Sequence, residues 1–216
     1  MKDLGHLSYF LGLEITHSTD GLYITQTKNA SELLSRARLT DSKTIDTPVE
    51  LNAHLTPSRG KPLSNPSLFK RLVGSLVYLT VTHPDIFYVV HQVSQYLFAL
   101  WSTHYAAILR ILWYLKGTLF HDIFYSTQSP LVLRAFSDAN WVRGPTDRRS
   151  TTGYCFLLDS FLISRWSKKQ THVARSSIEA EYRTFANTTS EFLWLRWLLK
   201  DLGVSTSCTT PLYCNN

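Results

Sequence analysis

The hydrophobic pattern switches between a two-residue and a 3.6-residue period along the chain, and the switches mark its elements. Leu7 to Ile15 and Leu22 to Gln26 read as an extended pair around Ser18-Thr-Asp-Gly21, whose Asp-Gly is a good hairpin signal. Asn29 to Leu39 predicts a short helix with Leu33 and Leu34 on its apolar side. Residues 41–66 are rich in Pro, Ser and Thr, show almost no apolar period and predict a loop. Three helices follow at helical spacing. The first opens at Asn65-Pro66, a cap followed by proline at the first helical position, and turns Phe69, Leu72, Val73, Leu76 and Leu79 inward. The second opens at His83-Pro84-Asp85 and buries Ile86, Val89, Val90, Val93 and Leu97. The third opens near Ser102-Thr103, buries Ile108, Ile111, Leu112 and Leu115, and stops at Gly117.

Strand periodicity returns at residue 131. Residues 131–137 predict a strand, and 154–158 with 161–166 a hairpin around Asp159-Ser160, a weaker turn than Asp-Gly. Helices are predicted over 177–188 and 190–202, the latter ending at Gly203, then a last strand over 211–215. The order β-β-β-α-α-β suits a mixed sheet with helices packed on it. The fold class is therefore α+β: an N-terminal β-hairpin and a small helical unit, then a mixed α/β sheet.

Composition narrows the partners. Apolar residues make up 44% of the 216, enough for genuine cores, and a net charge of +6 with pI near 9.3 suits a polyanion. Residues 131–175 hold eight Lys/Arg against the three acids Asp138, Asp147 and Asp159, with Trp141, Tyr154 and Trp166 interleaved. A solvated basic face over core aromatics describes the same residues. Cys155, Cys208 and Cys214 are odd in number and lack CxxC spacing, which argues for a reducing compartment and against a zinc knuckle or disulfide frame. No signal peptide follows Met1, and the most apolar stretch, Leu72 to Val90, is broken by Gly74, His83, Pro84 and Asp85. An intracellular protein, cytoplasmic or nuclear, is expected.

Two carboxylates carry the candidate chemistry. Asp138 closes the strand-like run Leu131-Val-Leu-Arg-Ala-Phe-Ser-Asp138, and Glu181 lies in the helix opening Ser176-Ser-Ile-Glu-Ala-Glu-Tyr-Arg183. Ser176 and Glu179 fit a capping box, with Glu179 reaching back to the cap's N–H. Glu181 neighbours Ile178, Tyr182 and Phe185 at helical spacing, which places it on or beside the face packed on the sheet. A carboxylate there needs a cation or a donor. Arg175 or Arg183 would serve structurally; a hard divalent cation shared with Asp138 is the functional reading. Arg148-Arg149-Ser-Thr-Thr-Gly153 reads as a phosphate grip or, equally, as a solvated turn. His83, His91, His104 and His121 have no ligand spacing, and neither a G-x-S-x-G elbow nor a Gly-rich phosphate loop occurs.

The motifs together resemble the Pol polyprotein of copia-type LTR retrotransposons over nearly the whole chain. Met1-Lys-Asp-Leu-Gly5 with Tyr9-Phe-Leu-Gly-Leu-Glu14 is similar to the segment downstream of the polymerase's Tyr-x-Asp-Asp motif. Arg71-Leu-Val-Gly-Ser-Leu-Val-Tyr-Leu-Thr80 and His83-Pro-Asp-Ile86 are similar to the reverse transcriptase thumb region, and Leu109 to Thr118 to the helix leading into ribonuclease H. Asp147-Arg-Arg-Ser-Thr-Thr-Gly-Tyr-Cys155, Ser167-Lys-Lys-Gln170 and Ala174-Arg-Ser-Ser-Ile-Glu-Ala-Glu-Tyr-Arg183 are similar to that ribonuclease H domain.

The resemblance implies residues 1–128 from the C-terminal part of reverse transcriptase and 129–216 from a ribonuclease H-like domain truncated at its C-terminus. It also implies Mg²⁺ as cofactor and an RNA–DNA hybrid as partner, with other Pol segments as possible further partners. Asp138 and Glu181 take the catalytic and metal-ligand positions, and Arg148, Arg149, Lys168 and Lys169 the nucleic-acid surface. The family's next Asp, in a Tyr-Cys-Asp-Asn motif, falls on Asn215 of Tyr213-Cys-Asn-Asn216. Asn140, His83 and the order Arg165-Trp166 also depart from the family pattern. An inactive Pol fragment without the polymerase palm is the expectation. The alternatives are a non-enzymatic nucleic-acid-binding protein and a hybrid nuclease completed by another segment.

Overall fold

A computed structural model of the chain describes residues 5–39, 43–50, 55, 60–63, 65–98, 100–141, 147–204 and 209–214. The fold is α+β, and the chain divides into two compact units, Met1–Thr127 and Gln128–Asn216.

The first unit pairs a four-stranded antiparallel sheet with four α-helices. Its strands β1 (Tyr9–Phe10), β2 (Leu13–His17), β3 (Gly21–Thr25) and β4 (Ile123–Ser126) are neighbours in that order. Leu7 to Ile15 is therefore not one extended segment. Leu11 and Gly12 both take positive φ, 48° and 80°, and fold it into a tight hairpin of its own. The strand β4 had no counterpart in the sequence pattern. It runs so close to β3 that a Cβ on Gly21 would lie 2.0 Å from the Tyr125 carbonyl oxygen, so only glycine fits there.

Helix α1 spans Thr27–Arg36, beginning and ending slightly earlier than its pattern indicated. Helix α2 (Pro66–Leu79) starts as predicted, with Asn65 Oδ1 accepting from Leu68 N at 3.1 Å. A 3₁₀ turn at Pro84–Ile86 leads into α3 (Phe87–Ser94), and α4 covers Ser102–Gly117. Their inward faces form one core of Phe69, Leu72, Val73, Leu76 and Leu79 against Ile86, Val89, Val90 and Val93 and against Ile108, Ile111, Leu112 and Leu115. Leu97 lies past the end of α3 and is only partly buried against that core.

The second unit is a mixed sheet under one long helix. Strands β5 (Leu133–Asn140), β6 (Thr151–Leu158) and β7 (Phe161–Lys169) form an antiparallel meander, and β8 (Leu212–Cys214) adds to the free side of β5 in parallel. The order is β7-β6-β5-β8. Asp159 supplies the positive φ, 58°, that its two-residue turn needs, and its carboxylate is 3.5 Å from Arg134. Helix α5 runs unbroken over Ser177–Asp201, where two helices were expected. The expected boundary falls in Thr188-Thr189-Ser190, whose side chains can compete for backbone groups. Here their hydroxyls instead donate to the carbonyls four residues back, at 2.8, 2.8 and 3.1 Å, and the helix continues through them. Among the described residues, no helix is long and apolar enough to cross a membrane.

Candidate functional site

Asp138 lies within β5, which continues two residues past it to Asn140, not at the strand's end. Alternation along β5 sends Leu133, Ala135, Ser137 and Ala139 inward and leaves Asp138 exposed. Ala135 N–H donates to Pro211 O on the β8 side, so Ala139 N–H, an even number of residues along, points to that same side. The described pairing with β8 runs to Ser137 opposite Cys214. Beyond it the Ala139 N–H meets Glu181 Oε1 at 3.1 Å. The structure thus brings Glu181 to the amide directly after Asp138.

Small side chains permit that approach. Ala139, Ala174 and Ala180 form a buried cluster of their own where the first turn of α5 meets β5. A buried polar layer sits beside it: Thr152 and Thr184 hydroxyls are 3.0 Å apart, and Gln170 Nε2 lies 3.0 Å from Ala180 O and 3.2 Å from Thr152 Oγ1. Of these residues the sequence singled out Thr152 alone, as a hydroxyl of the phosphate grip, and its burial against Thr184 takes it out of that role. Gln170 sat in a quoted motif, but its place under α5 depends on the register that sets it opposite Ser150, with Gln170 N donating to Ser150 O at 2.8 Å.

Two expectations about Glu181 need correction. Its apolar neighbours Ile178, Tyr182 and Phe185 are exposed, Ile178 to 66% and Tyr182 to 72%, so they do not mark the packed face. That face is Ala180, Thr184, Thr188, Leu195 and Leu199, small and hydroxylated at its start. Arg183 does not neutralise Glu181 either; it pairs with Glu179 at 2.7 Å. Glu179 also accepts from Arg175 N at 2.7 Å, one residue earlier than a capping box requires, while Ser176 Oγ accepts from Glu179 N as predicted.

The electrostatics fit a cation-seeking pair. Burial raises the Glu181 carboxyl above the usual carboxylate range, the Ala139 N–H pulls it back, and the Asp138 charge raises it further. One or two carboxylates are what a Mg²⁺ ion takes from a protein when waters and substrate phosphates complete its shell, and Asp138 and Glu181 are residues of that type. No group of three or more His, Cys, Asp or Glu side chains that could hold a metal occurs among the described residues. Asn215, the predicted position of a lost third carboxylate, lies outside the described residues.

The four predicted phosphate contacts do not share one face. Lys168 pairs with Thr152 in register and therefore lies on the α5 side of the sheet, with its ammonium 5.9 Å from the Trp166 ring centre. Lys169 points to the opposite side and reaches Asp147 at 3.1 Å. Arg148, at φ 53°, and Arg149 are exposed in the turn before β6, where Arg149 N donates to Asp147 Oδ1 at 3.2 Å. Burial pushes the Asp147 carboxyl up, but the Arg149 N–H and Lys169 more than offset it and hold it below its ordinary value.

Comparison with known proteins decides the family. The chain is 41% identical over all 216 residues to the retrovirus-related Pol polyproteins from transposons RE2 and RE1 of Arabidopsis thaliana. It is 41% identical over 194 residues to an uncharacterized mitochondrial protein of Arabidopsis thaliana, covering 90% of this chain and 80% of that one. The chain belongs to the copia-type retrotransposon Pol family. It spans 15% of the length of each of the two transposon polyproteins, so it corresponds to a portion of a copia-type Pol. No protein-family profile matches the chain, nor does any solved structure.

Proposed function

We propose that the chain is the part of a copia-type Pol that runs from the C-terminal region of reverse transcriptase into ribonuclease H. The first unit is the thumb-like region and the second the ribonuclease H-like domain. In this reading Asp138 and Glu181 hold Mg²⁺ beside an RNA–DNA hybrid, and Asn215 in place of a third carboxylate leaves the centre catalytically inactive. The 3.1 Å bond from Ala139 N to Glu181 Oε1 carries the proposal, because it brings a helix carboxylate to the amide that follows Asp138 in the strand, while Arg183 is turned to Glu179.

When bound, Mg²⁺ would supply Lewis-acid polarisation of a phosphate oxygen. The chain's own residues set the conditions for it. The Ala139 N–H fixes one Glu181 oxygen and leaves the other for a cation, while Asp138, exposed on β5, offers its carboxylate from the strand. The resemblance assigns a carboxylate to position 215, and the amide there lacks its negative charge. At an effective dielectric of about 20, a unit charge about 4 Å from a cation is worth roughly 4 kcal/mol per unit of cation charge, an upper bound. Half of it would already lower occupancy more than tenfold.

Manganese binding followed by electron paramagnetic resonance, with cleavage of a labelled hybrid in parallel, tests this reading. The parent chain should bind Mn²⁺ weakly and leave the hybrid intact. Asp138→Asn and Glu181→Ala should each weaken Mn²⁺ binding at least tenfold, and Asn215→Asp should strengthen it by a similar factor. Equal affinities in all four proteins would refute the metal pair, and robust cleavage by the parent would refute inactivity.

A further inference from the structure

The polar layer under α5 has a role that the carboxylate pair does not account for. Gln170 is buried, and its Nε2 lies 3.0 Å from Ala180 O, 3.2 Å from Thr152 Oγ1 and 3.4 Å from Thr184 Oγ1. The Ala180 carbonyl can only accept, so the amide nitrogen, not its oxygen, must face it. Ala180 immediately precedes Glu181. The contact therefore ties the backbone that carries Glu181 to the end of β7, across the sheet from the Ala139 N–H that Glu181 reaches. Thr152 and Thr184, both buried, extend the tie one turn further along α5.

Packing alone would leave this part of α5 weakly located. Its apolar packing here is small: Ala180 meets Ala139 of β5 and Ala174 of the preceding segment, which offer little shape to resist sliding or rotation. The first large apolar side chains of α5 packed on the core are Phe192, Leu195 and Leu199, several turns further along the helix. A directional bond from Gln170 supplies the position that the alanines do not. A helix rotated by one residue's angle, about 100°, would carry Glu181 off the β5 edge altogether.

We infer that Gln170 is a positioning residue for the metal site: its buried amide, bonded to Ala180 O, sets the rotation of α5 that brings Glu181 to the Ala139 N–H beside Asp138. This rests on the reading of Asp138 and Glu181 as the cation-binding pair. It makes the donor a requirement, since an apolar side chain of the same size fills the space and holds nothing. Residues that orient a ligand in this way commonly alter metal affinity by roughly 10–100-fold when replaced.

The test uses the full 216-residue chain and two readouts. Without metal, the Ala139 amide proton shift in a ¹⁵N-resolved spectrum reports the bond to Glu181, and Glu181→Ala defines the value when it is lost. Gln170→Met, nearly isosteric and without a donor, should move that shift most of the way to the Glu181→Ala value. Asp159→Asn, in the turn at the other end of the β6–β7 hairpin, should leave it near the parent value. Mn²⁺ affinity should fall roughly tenfold or more in Gln170→Met. If Gln170→Met does not fold, Gln170→Asn withdraws the amide by one methylene and is read in the same way. An unchanged Ala139 shift overturns the inference. So does unchanged Mn²⁺ affinity in Gln170→Met where Glu181→Ala abolishes binding. If Asp138→Asn and Glu181→Ala bind Mn²⁺ like the parent, the metal reading fails instead, and the Ala139 shift still decides whether Gln170 positions Glu181.

Discussion

Replacing Ala180 by leucine should uncouple the helix from the strand at the candidate site. Ala180 is fully buried and meets Ala139 and Ala174, so the extra carbons of leucine have no space to enter. Overpacking of this kind costs about 1–3 kcal/mol, and the cheapest relief is for the start of α5 to lift away from β5. Lifting by about one bond length, ~1.5 Å, would stretch the 3.1 Å contact between Ala139 N and Glu181 Oε1 beyond hydrogen-bonding range. A bond to a charged acceptor contributes about 1.5 kcal/mol at the lower end of its range, appropriate for a partly exposed carboxylate. The two effects together come to about 3 kcal/mol, or roughly 10–20 °C in the melting temperature of a domain this small. Ala180→Gly is the control. It leaves the space empty and should cost about 1 kcal/mol, the helix-propensity difference, with Mn²⁺ affinity held near the parent value. Scanning calorimetry and Mn²⁺ titration on the three proteins make the comparison. A leucine variant that melts within a degree or two of the parent and binds Mn²⁺ equally well would refute the claim that the alanine contact sets how closely the helix approaches the strand.

Other perturbations address the remaining structure. Burial holds His83 below the ordinary histidine value, against the opposing charge of Asp85. The unfolded chain then binds more protons through that interval, so this stabilisation is complete above about pH 6.5 and is lost as pH falls. Urea midpoints measured between about pH 7.5 and 5.5 should decline in the parent and flatten in His83→Gln, and equal slopes would count against it. Tyr114 donates its hydroxyl to Asp85, and burial together with that carboxylate pushes the phenol up to about 12. Tyr114→Phe should therefore lower the urea midpoint by an amount worth about 1–2 kcal/mol without changing the slope of the transition. Helix α5 exposes Ile178, Tyr182, Phe185, Leu193 and Trp197, apolar side chains that should drive self-association. Tyr182→Lys combined with Trp197→Lys should lower the sedimentation-average mass, and an unchanged mass would place the association elsewhere.

The helices of the first unit were legible because their information is local. Asn65-Pro66 caps α2, and the spacing of Phe69, Leu72, Val73, Leu76 and Leu79 names its buried face before any partner is known. The hairpin at Leu11-Gly12 was hidden because Leu11 adopts a positive φ that its residue type does not advertise. Strand β4 was hidden for a different reason. Its pairing with β3 spans about a hundred residues of chain, and the signal is only the glycine at position 21 that lets Tyr125 approach. In α5 the pattern misled twice. It was read as two helices meeting near 188–190 where one runs through, and the large apolar residues at 178, 182 and 185 looked like the core-facing side. The sheet buries a row of Ala and Thr instead, because a helix can approach a strand closely only where side chains are small.

The same geometry separates what residue type can identify from what only register can. Asp138 and Glu181 are conspicuous by residue type, one in a strand pattern and one in a helix opening, and the bond from Ala139 N to Glu181 needs only that strand to lie beside that helix. A basic surface is a stricter demand, because it requires several side chains to emerge on one side. Lys168 and Lys169 are consecutive in β7 and must diverge, so a phosphate-binding patch confined to one face of the sheet cannot contain both. Lys169 is further committed to Asp147, which also accepts from Arg149 N. A nucleic acid on the α5 side of the sheet would meet Lys168 and Trp166, whereas one on the other side would meet Lys169. Charge reversal one lysine at a time therefore distinguishes the two faces. Lys168→Glu and Lys169→Glu should not weaken hybrid binding equally, and the one that matters should also reduce the salt dependence of binding by about one released counterion. Equal losses from both would mean that the hybrid engages the sheet's edge along β7 rather than either face.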